Sequence, residues 1–291
     1  MSAMAPAASS SMRARNRRRR KAVDALATGA IVAAGIGVLV PLIVILLFLF
    51  ARGLPALHLS LITDNPGPTG VPGGGIRSAI AGSAVLLALA LIIGLPAALA
   101  TGVYLAEYGR GRIGFAIRFL VDVLAGVPSI TIGIFVYTAV VLQMGHYSAL
   151  AGGIALALIM LPIVSRVTEE MLLLVPQMTR EASYALGVPK WRTIVTIILP
   201  AAASGIMTGI VLASARVAGE AAPLLFTALG NNFYSTGINR PIDAMPLRIF
   251  TYATGPFKYQ HDQAWAGSFI LVMMVLLLSV SARLLLQRRG R

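Results

Sequence analysis

Cysteine is absent from the 291-residue chain, which excludes disulfides and thiolate metal sites. Histidine is nearly as scarce. His58, His146 and His261 fall in three separate polar segments, with no carboxylate or second histidine at ligand spacing, so no metal site is expected. Lysine occurs only at positions 21, 190 and 258, never after a glycine. The G-x-x-x-x-G-K-[ST] loop that cradles nucleotide phosphates therefore cannot be built. No cofactor and no catalytic residue are expected, and any ATP-derived energy must come from a partner. Charge of either sign is thin, at 12% of residues, where a soluble domain carries about a quarter. With 57% hydrophobic residues, this is the composition of an integral membrane protein.

What charge there is has a strong sign bias, +14 net. Such a bias can mark a nucleic-acid binder, but its placement here argues against one. The run "RARNRRRRK" (Arg13 to Lys21) lies directly before the first apolar stretch, where it orients a span and attracts anionic lipid headgroups. The Ala/Ser-rich residues before it are expected to be disordered. The apolar stretch that follows is too long for the ~7–15-residue core of a cleaved signal peptide.

A helix needs ~20 apolar residues to cross the hydrocarbon core. Six segments qualify: Ala25–Ala51, Ser78–Ala106, Phe119–Leu142, Ser148–Ser165, Pro200–Ala228 and Ala264–Ala282. Prolines 41, 96, 128 and 162 lie within them, which membrane helices tolerate when neighbours satisfy the freed carbonyls. With the N-terminus inside, the inner connections hold eighteen Lys and Arg residues and the outer ones five. That is the positive-inside pattern, and it puts both termini in the cytoplasm. The organisation expected is a basic cytoplasmic tail (1–24), a first span (25–51) and an external Pro/Gly-rich loop (52–75). A five-span core (76–284) follows, then a short cytoplasmic tail (285–291).

The inner connection 166–199 carries helix signals of its own. Pro176 suits a first turn, Gly187 can take the left-handed conformation just past a helix end, and Pro189 allows a restart. Between them Ala182, Ala185 and Leu186 form a shallow apolar face, and Arg180, Glu181 and Ser183 are polar. A helix of that kind suits docking into a cleft on another protein better than lying on a membrane surface.

Glu181-Ala182-Ser183, three residues, Gly187, nine residues, then Ile197-Ile198-Leu199-Pro200 resembles the "EAA" loop of permease subunits of bacterial ABC importers, with only Ser183 departing from the pattern. The resemblance implies an all-α, multi-pass membrane protein with six transmembrane helices and the type I ABC importer permease fold (MetI-like). It further implies that Glu181, Ala182, Ser183 and Gly187 belong to a coupling loop seated on an ATPase subunit.

"ASARVAGEAAP" (Ala213 to Pro223) places Arg216 and Glu220 inside the otherwise uncharged stretch from Pro200 to Ala228. A charge at bilayer depth costs from ~3 to over 10 kcal/mol, so both residues need a partner or a purpose. Four apart on a continuous helix they would share a face. Either they form a structural ion pair, or Arg216 meets an anionic substrate while Glu220 holds it between passages. Asp122, four residues after Arg118, is expected to form a lateral pair with it near the inner surface.

"ARVAGEAAPLLFTALGNN", "LAGVPSITIGIFVY" and "GGGIRSAIAGS" resemble stretches of the PstA-type permeases of bacterial phosphate importers. This resemblance implies uptake of inorganic phosphate. The implied partners are a homologous PstC-type permease, a pair of PstB-type ATPase subunits and an external PstS-type phosphate-binding protein. A permease for another oxyanion (sulfate or molybdate) and a regulatory membrane subunit in phosphate sensing remain the alternatives.

Overall fold

The computed structural model describes residues 7–289, which divide into two compact units at Ala51/Arg52. The first unit is a single element, α1 (Ala7–Gly53), whose last residues pass the boundary. It joins the basic run to the first apolar segment without a break and continues through Pro41. The Ala/Ser-rich start, expected to be disordered, lies outside the described residues up to position 6 and is helical from Ala7.

The second unit opens with α2 (Leu59–Thr63) and the Pro/Gly-rich run. That run is irregular but fastened. Pro66 and Gly74 form one bridge, and the Gln263 amide donates to the carbonyls of Gly73 and Gly74 at 3.2 and 3.0 Å. Next comes α3 (Arg77–Glu107), whose buried face carries Gly82, Leu86, Ala90, Gly94, Ala98 and Gly102, every fourth residue. Because lipid offers no hydrophobic drive for helix association, such small side chains matter by letting backbones approach.

After α3 come α4 (Arg112–Gly126) and α5 (Ser129–Val136), the latter continuing through a π-turn at Tyr137–Val141 into α6 (Leu142–Met144). α7 (Ala149–Leu173) packs along α3. A Cβ on Gly94 would sit 3.1 Å from Ala157 Cα, and one on Gly102 2.5 Å from Thr168 Cβ. The Ser165 hydroxyl adds an interhelical bond to the Ala98 carbonyl at 3.1 Å. Around this pair the largest core cluster forms.

Two expected spans are shaped differently. Phe119–Leu142 is no straight helix: α4 and α5 meet at 103° across Val127–Pro128. Proline drives the preceding residue out of the helical region, and Val127 is extended at ψ 130. The fifth span begins earlier and ends sooner than Pro200–Ala228. α8 (Gln177–Ala185) is followed by α9 (Lys190–Thr193), a π-turn at Ile194–Ile198 and α10 (Leu199–Ala218), so one candidate span covers Lys190–Ala218. Pro200 lacks the amide that would close the preceding turn, and the wider π-turn sits directly before it.

The chain then makes α11 (Ala222–Thr227), α12 (Met245–Ala253) and α13 (Lys258–Arg289). Among the described residues, five helices are long and apolar enough to cross a membrane, or six counting the bent pair as one span. Among the described residues no strand forms beyond two isolated bridges. The chain is an all-helical, multi-pass membrane protein.

Candidate functional site

The inner loop is held by its polar residues and presents its apolar ones. α8 follows Pro176 and ends in a Schellman turn: Val188 N–H donates to Ser183 O at 3.2 Å and Gly187 N–H to Tyr184 O at 2.9 Å. Gly187 has φ +77, the left-handed conformation that this closure requires. Of the polar residues on this helix, Arg180 and Ser183 are buried. The Arg180 guanidinium donates to Glu107 Oε1 at 3.0 Å and to the Leu172 carbonyl at 2.7 Å, which ties α8 to the ends of α3 and α7. Ser183 Oγ lies 2.7 Å from Thr193 Oγ1, which ties α8 to α9. Glu181, Ala182, Ala185 and Leu186 remain outside, with Met178 79% and Leu186 83% exposed. The apolar face is thus turned away from the protein's own core.

Arg216 and Glu220 do come together, though not on one helix. α10 stops at Ala218, and the chain turns through Gly219 and Glu220 before Pro223 enters the first turn of α11. Arg216 therefore lies in the last turn of a span, not at its middle. Its Nε is 3.9 Å from Glu220 Oε1, beyond hydrogen-bond distance, and the two side chains are 63% and 19% exposed. Beside this break, α11 packs on α5 so closely that a Cβ on Gly133 would approach Pro223 Cα to 2.6 Å. Two interrupted segments thus meet where Arg216 faces outward.

Asp122 and Arg118 do not pair with each other. Both reach across from α4 to α7. Arg118 Nε is 2.6 Å from Glu169 Oε1, and Arg166 Nη2 is 2.6 Å from Asp122 Oδ2. Arg166 Nη1 also meets Glu169 Oε2 at 3.0 Å. Arg118 further donates to the carbonyls of Leu105 and Gly109 near the end of α3. The Glu169 side chain is only 4% exposed, so two guanidinium groups share one buried carboxylate.

At the opposite end of α3 a second buried acid appears. Asp243 accepts from Arg248 Nη2 at 2.6 Å, from the Ser78 hydroxyl at 3.0 Å and from the Ala244 amide at 3.0 Å. Burial pushes its carboxyl above the ordinary range, and Arg248 offsets this only in part. The pairings of Arg118 with Glu169, Arg166 with Asp122 and Arg180 with Glu107 cross between helices and are invisible in local spacing, whereas Arg166 and Glu169 stand three apart on α7. Only Glu169, an acid near the end of an apolar helix, offered a signal.

A family model described as "Binding-protein-dependent transport system inner membrane component" matches residues 98–289. The chain is 49% identical over 249 residues to the phosphate transport system permease protein PstA of Yersinia pestis, covering 85% of this chain and 84% of that protein. It is 40% identical over 276 residues to PstA 1 of Mycobacterium tuberculosis, covering 92% and 90%. Inward-facing structures of the MetNI methionine ABC transporter share the fold, with a TM-score of 0.57 at 19% identity over 75% of this chain and 95% of that one. The chain therefore belongs to the inner-membrane components of binding-protein-dependent transport systems, and within them to the PstA-type permeases.

Proposed function

We propose that this chain is a membrane-spanning permease subunit of an ATP-driven importer of inorganic phosphate. In the assembly proposed, a PstC-type permease forms the other half of the path. A pair of PstB-type ATPase subunits seats on the exposed face of α8, and a PstS-type protein delivers phosphate from outside. Residues 166–199 then act as the coupling loop, and both termini lie in the cytoplasm, as the distribution of Lys and Arg favours. The reading draws its substrate from relatives named as phosphate transport permeases. Neither another oxyanion nor a dedicated sensing role gains support from those names.

The observation that carries the mechanism is the loose Arg216–Glu220 pair. A guanidinium turned outward from a span is costly against lipid, so it is best explained by a water-lined path or a facing subunit. At 3.9 Å the carboxylate orients Arg216 without saturating its donors. Phosphate can replace Glu220 as the guanidinium's partner through charge-assisted hydrogen bonds and leave by the reverse exchange.

Phosphate uptake by the reconstituted complex tests this. Arg216→Gln should lower uptake by about one to two orders of magnitude, as expected for loss of charge-assisted bonds worth ~1.5–3 kcal/mol. The double substitution Arg216→Gln, Glu220→Gln removes the stranded acid. It should assemble normally in detergent yet still fail to move phosphate. Near-normal uptake by the double variant would make Arg216 only a strut.

A further inference from the structure

The cleft beside α8 has more donors than acceptors. Its walls include Glu107 from the end of α3, Arg110 from the following turn, Gln177 and Tyr184 from α8, and Lys190 from α9. The Glu107 carboxylate is already answered by Arg180, which is spent on Glu107 and on two backbone carbonyls. The side chains of Arg110, Gln177 and Tyr184 have no partner among the described residues. Lys190 Nζ donates to the Glu107 carbonyl and lies 3.9 Å from the Tyr108 ring centroid, leaving N–H groups to spare. Two cations without an acid partner, a phenol and an amide thus face one opening.

That opening is on the side of α8 away from its docking face. Gln177, Arg180 and Tyr184 repeat at helical spacing, roughly opposite Met178, Ala182 and Ala185. A protein seated on the outward apolar residues leaves the cleft free for a second occupant. Leu173 and Val175 border it, so the wall beside the charged groups is apolar.

We propose that this cleft binds a phosphate group, supplied either by free inorganic phosphate or by the headgroup of an anionic lipid. Arg110 offers its planar fork to two oxygens, Lys190 adds a point charge, and Tyr184 and Gln177 complete the donors. Basic pockets at the inner ends of membrane helices are suited to such headgroups. An occupant bridges α8, α9 and the end of α3, so it stiffens the junction between the docking helix and the spans. Its placement on the cytoplasmic side rests on the topology proposed above.

The test uses the assembled complex without its binding protein. In phosphatidylcholine nanodiscs, equilibrium dialysis measures bound inorganic phosphate. In nanodiscs of equal parts phosphatidylcholine and phosphatidylglycerol, native mass spectrometry measures retained phosphatidylglycerol. In whichever arm shows occupancy, Arg110→Gln with Lys190→Gln should weaken it by about tenfold or more, and Arg110→Lys by no more than about threefold. Phosphate held at Arg216 is removed from the count by repeating the first arm in an Arg216→Gln background, where the cleft's share should persist and still fall with the double variant. Occupancy in the first arm identifies free phosphate, and in the second lipid. No occupancy in either arm, or occupancy that the double variant leaves intact, overturns the proposal. So does phosphate binding that vanishes with Arg216→Gln and survives the double variant, an outcome that would still support the transport path.

Discussion

Arg180 on α8 and Glu107 at the end of α3 form an ion pair 3.0 Å apart, with side chains only 9% and 5% exposed. Arg180 stands beside the loop's motif residues but points away from their exposed face, into the spans. The helix proposed above to seat on the ATPase is therefore bonded directly to α3. Arg180→Met should destabilise the protein by about 3–5 kcal/mol, because it strands a buried carboxylate. Adding Glu107→Met should restore thermal stability in detergent. ATP hydrolysis by that double variant should continue with little transport, so its phosphate-to-ATP ratio should fall. An unchanged ratio would show that the pair only holds the loop together.

Gly187 tests the turn that closes α8. No atom lies within 4 Å of a Cβ built there, so a side chain meets only the backbone cost of φ +77. Gly187→Val should cost ~1–2 kcal/mol in that conformation, and Gly187→Asn much less. Stimulated ATPase activity should follow the same order, while the fold, followed by thermal melting, changes little.

The shared acid on α7 should be the most sensitive point of the α4–α7 contact. Glu169→Gln replaces the carboxylate shared by Arg118 and Arg166 with a neutral amide, and a loss of about 1.5–3 kcal/mol is expected. Asp122→Asn should cost under ~1 kcal/mol, since that carboxylate is 53% exposed. Comparing the two melting temperatures checks the ranking, and equal losses would contradict it.

Sidedness can be read with single cysteines, as the native chain has none. Ser183 is a poor site because it is buried against Thr193. Leu186→Cys and Thr236→Cys are exposed positions in the two loops of interest. In intact cells an impermeant external reagent should label Thr236→Cys and leave Leu186→Cys untouched. External labelling of Leu186→Cys would invert the topology proposed for the coupling loop.

The linear chain by itself determined the membrane class, the number and rough places of the spans, and the two short helices between α7 and α10. Those features arise from local chemistry. Apolar runs must be long enough to cross lipid, Pro176 and Pro189 open helices, and Gly187 closes one wherever it folds. Tertiary structure alone decided which charges meet. Arg118 sits four residues from Asp122 yet bonds Glu169 on another helix, and Arg180 bonds Glu107, 73 positions away. Local spacing says which side chains can share a helix face, but packing decides whether a face turns inward. It also decided that Arg216 lies in the last turn of a helix ending at Ala218, since a six-residue α11 packed against α5 and α7 replaces the uninterrupted span that hydropathy alone describes.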